Sequence, residues 1–342
     1  MPEPTRQKRF DHVLITGGAG YVGAILTPQL LDAGYQVTVL DLCWYGSDVL
    51  PDHPDLTLIE GDLRDPDTVE RAMQGVDAVI HLACVSNDPS FELNPDLGKS
   101  INLDAFEPLV DAAIAAGVKR FVYASSSSVY GVSDAPDVTE DHPLHPLTDY
   151  SKFKAQCEPV LLGKASDTFV PVVIRPATVC GYSPRQRLDV IVNILTNHAV
   201  NNQKIRVFGG DQLRPNLHIN DMADCYEAVL EMPDDAVASK VWNVGSTNHP
   251  VADIAQIVKA TVEEEMPELG TIAIGVEATD DPRSYHVNSG KIADDLGFEP
   301  ELTIEDAVRD LCYAFKAGKL PDSMADPRYF NVKVMQEQPA AV

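Results

Sequence analysis

The 342 residues are 44% hydrophobic and 23% charged, enough to bury a sizeable core in one large or two modest domains. With 52 acidic against 26 basic residues the formal charge is −26, a field that repels nucleic acid and anionic membrane. No apolar run approaches the ~18–20 residues of a membrane span, no basic-then-apolar leader opens the chain, and six scattered cysteines without a CxxC pair argue for a cytoplasmic protein with free thiols and no metal site.

After a polar start, His12-Val13-Leu14-Ile15-Thr16 reads as a buried strand running into Gly17-Gly18-Ala19-Gly20-Tyr21-Val22-Gly23, with helical character from Ala24 to Ala33. Glycines at 17, 20 and 23 allow a tight turn, close backbone approach to a pyrophosphate and tight helix-on-strand packing, while the helix N-terminus faces the phosphates. Strand, glycines and helix in this order predict a dinucleotide site. A second strand, Gln36 to Leu40, ends at Asp41, roughly twenty residues past the glycines. A carboxylate there bonds ribose hydroxyls and repels a 2′-phosphate, so NAD is expected over NADP.

Leu56 to Glu60 is a third strand, followed by Gly61-Asp62-Leu63-Arg64-Asp65 and a helix to about Gln74. Ala78 to Leu82 is a fourth, Leu103 to Ala116 a helix, and Arg120 to Ala124 a fifth strand. Strands alternating with helices predict an α/β fold with a doubly wound parallel sheet. Ligands bind at the carboxyl ends of such strands, where the polar residues at 41, 62, 84–88 and 125–128 fall. Further on, Tyr150 and Lys154 are four apart and share a helix face, so the ammonium is expected to lie by the phenol and lower its pKa. Lys152 points elsewhere. Such a tyrosine exchanges protons near neutral pH.

These residues resemble the extended short-chain dehydrogenase/reductase superfamily, in its nucleotide-sugar epimerase/dehydratase branch, over roughly residues 11 to 315. The likeness is carried by the glycine motif, Asp41, Gly61-Asp62-Leu63, His81-Leu82-Ala83, Asn102, Ser125 to Gly131, Tyr150 with Lys154, Arg175 to Gly181 and Arg214 to Asp221. It implies a Rossmann domain over residues 1–174, a smaller substrate lobe over 175–320 interleaved with late sheet strands, and a tail over 321–342. By the resemblance, Gly17, Gly20, Tyr21, Val22, Gly23, Asp41, Asp62, Leu63, Ala83, Asn102, Tyr150 and Lys154 hold NAD. Tyr150 is the expected base, Lys154 also bonds the nicotinamide ribose, and Ser126 is the catalytic hydroxyl, four residues before Tyr130. The helices at 103–116 and 150–162 are expected to pair in a homodimer, with Pro159 ending the second early. Sugar 4,6-dehydratases of this branch carry Asp-Glu after that hydroxyl; here Ser127-Ser128 stands there, which counts against dehydration. Thr178 stands where relatives often have Asn, Cys180 where they have Tyr, and Ala278 where an Arg opens a family element that Arg283 is expected to replace.

The acidic chain holds one basic stretch: Arg175 to His218 carries Arg175, Arg185, Arg187, Lys204, Arg206 and Arg214 against Asp189 and Asp211, six minus two, net +4. Its Arg185, Arg187 and Arg214 are expected to face a substrate pyrophosphate, since guanidinium forks match phosphate oxygens. Ser86, Asn87, Ser127 and Thr178 are further substrate candidates. His81, His218 and His286 read as structural, and beyond Lys319 only Tyr329 and Phe330 suggest packing onto the body. The sequence thus points to an NAD-dependent epimerase of a nucleotide-diphosphate sugar, acting at carbon 4. Its rivals are a dehydrogenase or ketoreductase with net redox, a 4,6-dehydratase, and a redox sensor that binds NAD without chemistry.

Overall fold

The computed structural model describes residues 7–337 except Asn87, Asp134, Pro136, 279–283 and Tyr285. Its centre is a seven-stranded sheet: β1 (His12–Thr16), β2 (Gln36–Asp41), β3 (Leu56–Glu60), β4 (Ala78–His81), β5 (Arg120–Ala124), β6 (Val170–Pro176) and, from much later in the chain, Val241–Val244. The spatial order is Val241–Val244, β6, β5, β4, β1, β2, β3, with every neighbouring pair parallel. This is the doubly wound Rossmann-type arrangement expected from the sequence, and its order reverses between β1 and β4, where a crevice must open.

The strands are short apolar runs because both faces are covered. Alternation sends Val13 and Ile15 to one face, against Leu26, Leu30, Met222 and Tyr226. Leu14 goes to the other, against Phe106, Leu109, Cys157 and Leu161. The second lobe has its own core, in which Val192 and Leu195 meet Ile254, Val258 and Val308. It carries a three-stranded sheet of Thr178–Cys180, Leu213–His218 and Thr247–Pro250, and a parallel pair of Lys204–Phe208 with Ala273–Glu277.

Two helices differ from the sequence expectation. The segment expected to be helical from Leu103 opens instead as a wide π turn, Ser100–Asp104, before the regular helix Phe106–Ala115. Asn102 explains the extra residue: its amide turns inward, accepting from Val85 N–H at 2.8 Å and donating to Val85 O at 2.9 Å. The helix Asp149–Leu162 runs straight past Pro159, which does not end it. Pro159 is exposed and in the last turn, so its missing N–H costs one bond on the wet side. The tail is rooted too. Tyr329 joins Leu188, Leu311 and Leu320 in a small cluster, with Phe330 packed against it.

Candidate functional site

A cavity of about 390 Å³ opens at the carboxyl ends of the strands, at the point where the sheet order reverses. Its floor at one end is the glycine turn. Gly17 has φ +76°, and a β-carbon there would sit 2.7 Å from the backbone nitrogen of Ala83. The following helix, Gly23–Asp32, has neither a capping side chain nor an acidic residue in its first turn, so the positive end of its dipole is left open to an anion. Tyr21 ties this turn to the second lobe, donating from its hydroxyl to Gly181 O at 2.7 Å and accepting from Asn193 at 2.9 Å. Asp41 ends β2 in the cavity wall and accepts N–H bonds from Ala19 at 2.9 Å and Cys43 at 2.8 Å. Burial pushes its carboxyl above the ordinary value, against those two bonds and the charge of Arg185.

At the centre of the cavity lie Tyr150, Lys154 and Ser126. Thr148 and Ser151 form a capping box that starts the helix Asp149–Leu162, which places Tyr150 in its first turn and Lys154 one turn on. Ser126 caps the short turn Ser127–Tyr130, accepting from Ser128 N–H at 3.1 Å. The Ser126 hydroxyl also bonds the Tyr150 phenol. One expectation is corrected here: the Tyr150 pKa is raised, not lowered. Burial is the leading cause and the Cys84 thiol adds to it, while Arg187 and Ser126 act the other way. The Lys154 ammonium, 5.9 Å from the Tyr150 ring centroid, donates to Ala124 O at 2.5 Å and lies over the Tyr123 ring at 4.9 Å. Lys152 is outside, paired with Asp149.

The basic stretch is divided by the fold. Arg175 is buried behind the serine loop, in a two-pronged pair with Glu158 at 2.6 and 3.0 Å; Glu158 also accepts from Ser125 Oγ at 2.6 Å. Arg206 pairs on the surface with Glu277. Arg214 does not line the cavity, contrary to expectation: its strand runs in the side sheet opposite His249, and its Nη1 turns back to Leu213 O at 2.9 Å. Arg185 and Arg187 do line it. Arg185 stacks on Tyr45, with its guanidinium carbon 3.6 Å from the ring centroid, and Arg187 Nε donates to Asp189 at 2.6 Å.

Of the other expected residues, Gly20, Val22, Leu63, Ala83, Ser86, Ser127 and Thr178 line the cavity. Asp62 does not; its carboxylate is held by Arg64 Nε at 2.9 and 3.0 Å. Asn102 shapes the wall through Val85 without reaching the cavity. Asn87 and Arg283 lie outside the described residues. Among the histidines, His81 is buried against Thr16 at 2.7 Å and burial pulls its pKa down to about 3, the state of a neutral structural ring. His218 caps the helix Ile219–Glu231. Cys84 lines the cavity as its place at the end of β4 implied, whereas sequence reasoning missed Trp44, Tyr45 and Asn331, all in the wall. The aromatic pair just past Asp41 was a signal that could have been used; for Asn331 there was none.

This geometry agrees with comparison to known proteins. The model of the NAD dependent epimerase/dehydratase family matches residues 13–245. The chain belongs to that family. Among its relatives are a dTDP-glucose 4,6-dehydratase of Streptomyces griseus, 29% identical over 87% of this chain and 92% of its own, and a UDP-glucose 4-epimerase of Bacillus subtilis, 27% identical over 87% and 95%. The solved structure of MoeE5 in complex with UDP-glucuronic acid and NAD superimposes with a TM-score of 0.77 at 26% identity, covering 90% of this chain and 99% of that one. The cofactor of this family member is NAD, and the residues present fit it: an uncapped helix N-terminus, a cradle that a β-carbon would fill, and an acidic residue at the end of β2.

Proposed function

We propose that the chain is an NAD-dependent epimerase of a nucleotide-diphosphate sugar, inverting carbon 4 through a 4-keto sugar, in a cytoplasmic homodimer. NAD, when bound, supplies the reversible hydride acceptor that inversion at an unactivated carbinol requires. In this reading the glycine turn with Tyr21 and Val22 receives the pyrophosphate of NAD, Asp41 its adenosine ribose, Leu63 its adenine and Lys154 its nicotinamide ribose. Tyr150 Oη takes the proton of the sugar 4-hydroxyl and returns it to the same oxygen once the 4-keto sugar has turned its other face, with Ser126 Oγ sharing the bond. Arg185 and Arg187 hold the substrate diphosphate, and Ser86, Ser127 and Thr178 meet the sugar.

The observation that carries inversion over dehydration is the set of acids in the wall. Among the described residues the lining carboxylates are Asp41, at the far end, and Asp88, which accepts from Thr148 Oγ1 at 2.6 Å. Beside Ser126 stand Ser127 and Ser128, with Ser128 Oγ 2.9 Å from Ser126 Oγ. Loss of water from a 4-keto sugar needs an acid and a base next to the reacting carbons, and hydroxyls of ordinary pKa supply neither. The test is to give the purified protein a panel of UDP- and dTDP-hexoses without added cofactor. Interconversion of one 4-epimer pair with no lasting absorbance change at 340 nm is expected. Stoichiometric release of free NADH would favour the dehydrogenase, and a 4-keto-6-deoxy product the dehydratase.

A further inference from the structure

The arginine end of the cavity is held together by one residue of the C-terminal segment. Asn331 is 4% exposed and makes three polar contacts, one through each of its side-chain oxygen, side-chain nitrogen and backbone N–H. Its Oδ1 accepts from Arg185 Nη2 at 2.6 Å, its Nδ2 donates to Ser86 Oγ at 2.7 Å, and its backbone N–H donates to Asp189 Oδ2 at 2.9 Å. Asp189 uses its other oxygen on Arg187 Nε at 2.6 Å, which joins that arginine to Asn331 through the carboxylate. Thus the amide, the two arginines and the loop after β4 form one connected clamp. The segment that brings Asn331 there is itself anchored, since Leu188 N–H donates to Tyr329 O at 2.8 Å and Tyr329 is buried with Leu311 and Leu320.

The clamp leaves a specific vacancy of hydrogen bonding. Arg185 is 4% exposed and lines the cavity, yet Nε and Nη1 have no acceptor at hydrogen-bonding geometry; burial works against its charge, and the Tyr45 phenol beneath it only partly offsets that. A buried guanidinium with two unmatched nitrogens, three N–H donors in all, is costly unless a ligand supplies oxygens. Nε together with a terminal nitrogen presents a fork that an oxoanion matches. Held by Asn331 on one side and stacked on Tyr45 on the other, Arg185 has few other rotamers open to it.

We propose that Asn331 is the positioning residue of the substrate site: it fixes Arg185 directly and Arg187 through Asp189, so that both guanidinium groups meet the diphosphate of the nucleotide sugar. This rests on the reading of the cavity as a nucleotide-sugar site. It adds that the C-terminal segment is part of the binding machinery, and that diphosphate affinity depends on a residue 146 positions from the arginine it orients.

Calorimetry on the NAD-loaded full chain with UDP, dTDP and inorganic pyrophosphate tests this, using Asn331→Ala, Arg185→Met and the double variant. Asn331→Ala should weaken the tightest probe by about tenfold or more, the scale of a lost charge-assisted hydrogen bond. The double variant should bind no worse than Arg185→Met alone, because the Asn331 side chain acts through that arginine while the backbone N–H that holds Asp189 survives the substitution; a purely structural role would give additive losses. NAD content should stay at the wild-type level. Should Asn331→Ala fail to fold, Asn331→Asp takes its place: its carboxylate claims the guanidinium for itself and should weaken the same probe. Binding of pyrophosphate alone, lost in the Asn331 variant, removes the nucleotide-sugar reading and leaves the clamp standing. Unchanged or tighter affinity in the Asn331 variant, additive losses, or a wild-type chain that binds none of the three probes overturns it.

Discussion

At one end of the cavity, Gly17 to Gly23, Asp41 and Leu63 come from the first 63 residues of the chain; at the other, Ser86 and Asn331 touch across 245 residues. The first end is shaped by backbone. A positive φ at Gly17, a helix N-terminus without a capping side chain and two N–H bonds onto Asp41 determine what fits, and among the described residues lining this end the charged side chain is the one at the end of β2. The second end is made of side chains that hold each other: Arg187 to Asp189, Asp189 to Asn331, Asn331 to Arg185 and Ser86. Backbone geometry recurs wherever the same local pattern is written, so the dinucleotide end is common to a whole family. A side-chain clamp, by contrast, can be undone by a single substitution.

Tyr150 sits where the two ends meet, and removing its hydroxyl should have the largest effect. Tyr150→Phe is expected to lower turnover by about 10²–10⁴-fold, the usual cost of a lost acid–base group, with fold and NAD content intact. Ser126→Ala should be milder, since that hydroxyl shares the proton without being its acceptor. A fully active Tyr150→Phe variant would remove the junction from the chemistry.

The dinucleotide end is probed by Asp41→Ala. The intact chain should bind NAD far more tightly than NADP, and the substitution should narrow the gap by about tenfold, the scale of hydrogen bonds to a charged group. Equal affinity of the intact chain for both cofactors would contradict the role of Asp41.

The arginine end reaches the junction through charge. Arg187 opposes the rise in the Tyr150 pKa, since a nearby cation favours the phenolate. Removing it in Arg187→Met therefore lifts the phenol further. If Tyr150 acts as a base, the ascending limb of kcat against pH should move to higher pH. A limb that stays in place would separate Arg187 from the proton transfer.

The same contrast decided what could be read from the sequence. β1, β3 and β5 fall on the expected residues because each is an apolar run closed by polar or glycine punctuation. The glycine turn, Asp41 and the Tyr150–Lys154 spacing were legible because the chemistry lies within one or two turns of chain. The sign of the Tyr150 shift was not, since spacing gives the distance of a charge along a helix but not how deeply the ring is buried. Nor was the fate of the basic stretch, whose Arg175 is spent inside on Glu158 while Arg185 reaches the cavity. Asn331 carried no local signal at all, because its partners are brought to it by the tail packing on Leu188 and Leu311.

The account turns on where the hydrogen of sugar carbon 4 ends up. A UDP- or dTDP-hexose deuterated at carbon 4, turned over by the purified protein without added cofactor, should yield both 4-epimers with the deuterium retained at carbon 4. Deuterium found at carbon 6 of a 4-keto-6-deoxy product, or lost into free reduced cofactor, would contradict it.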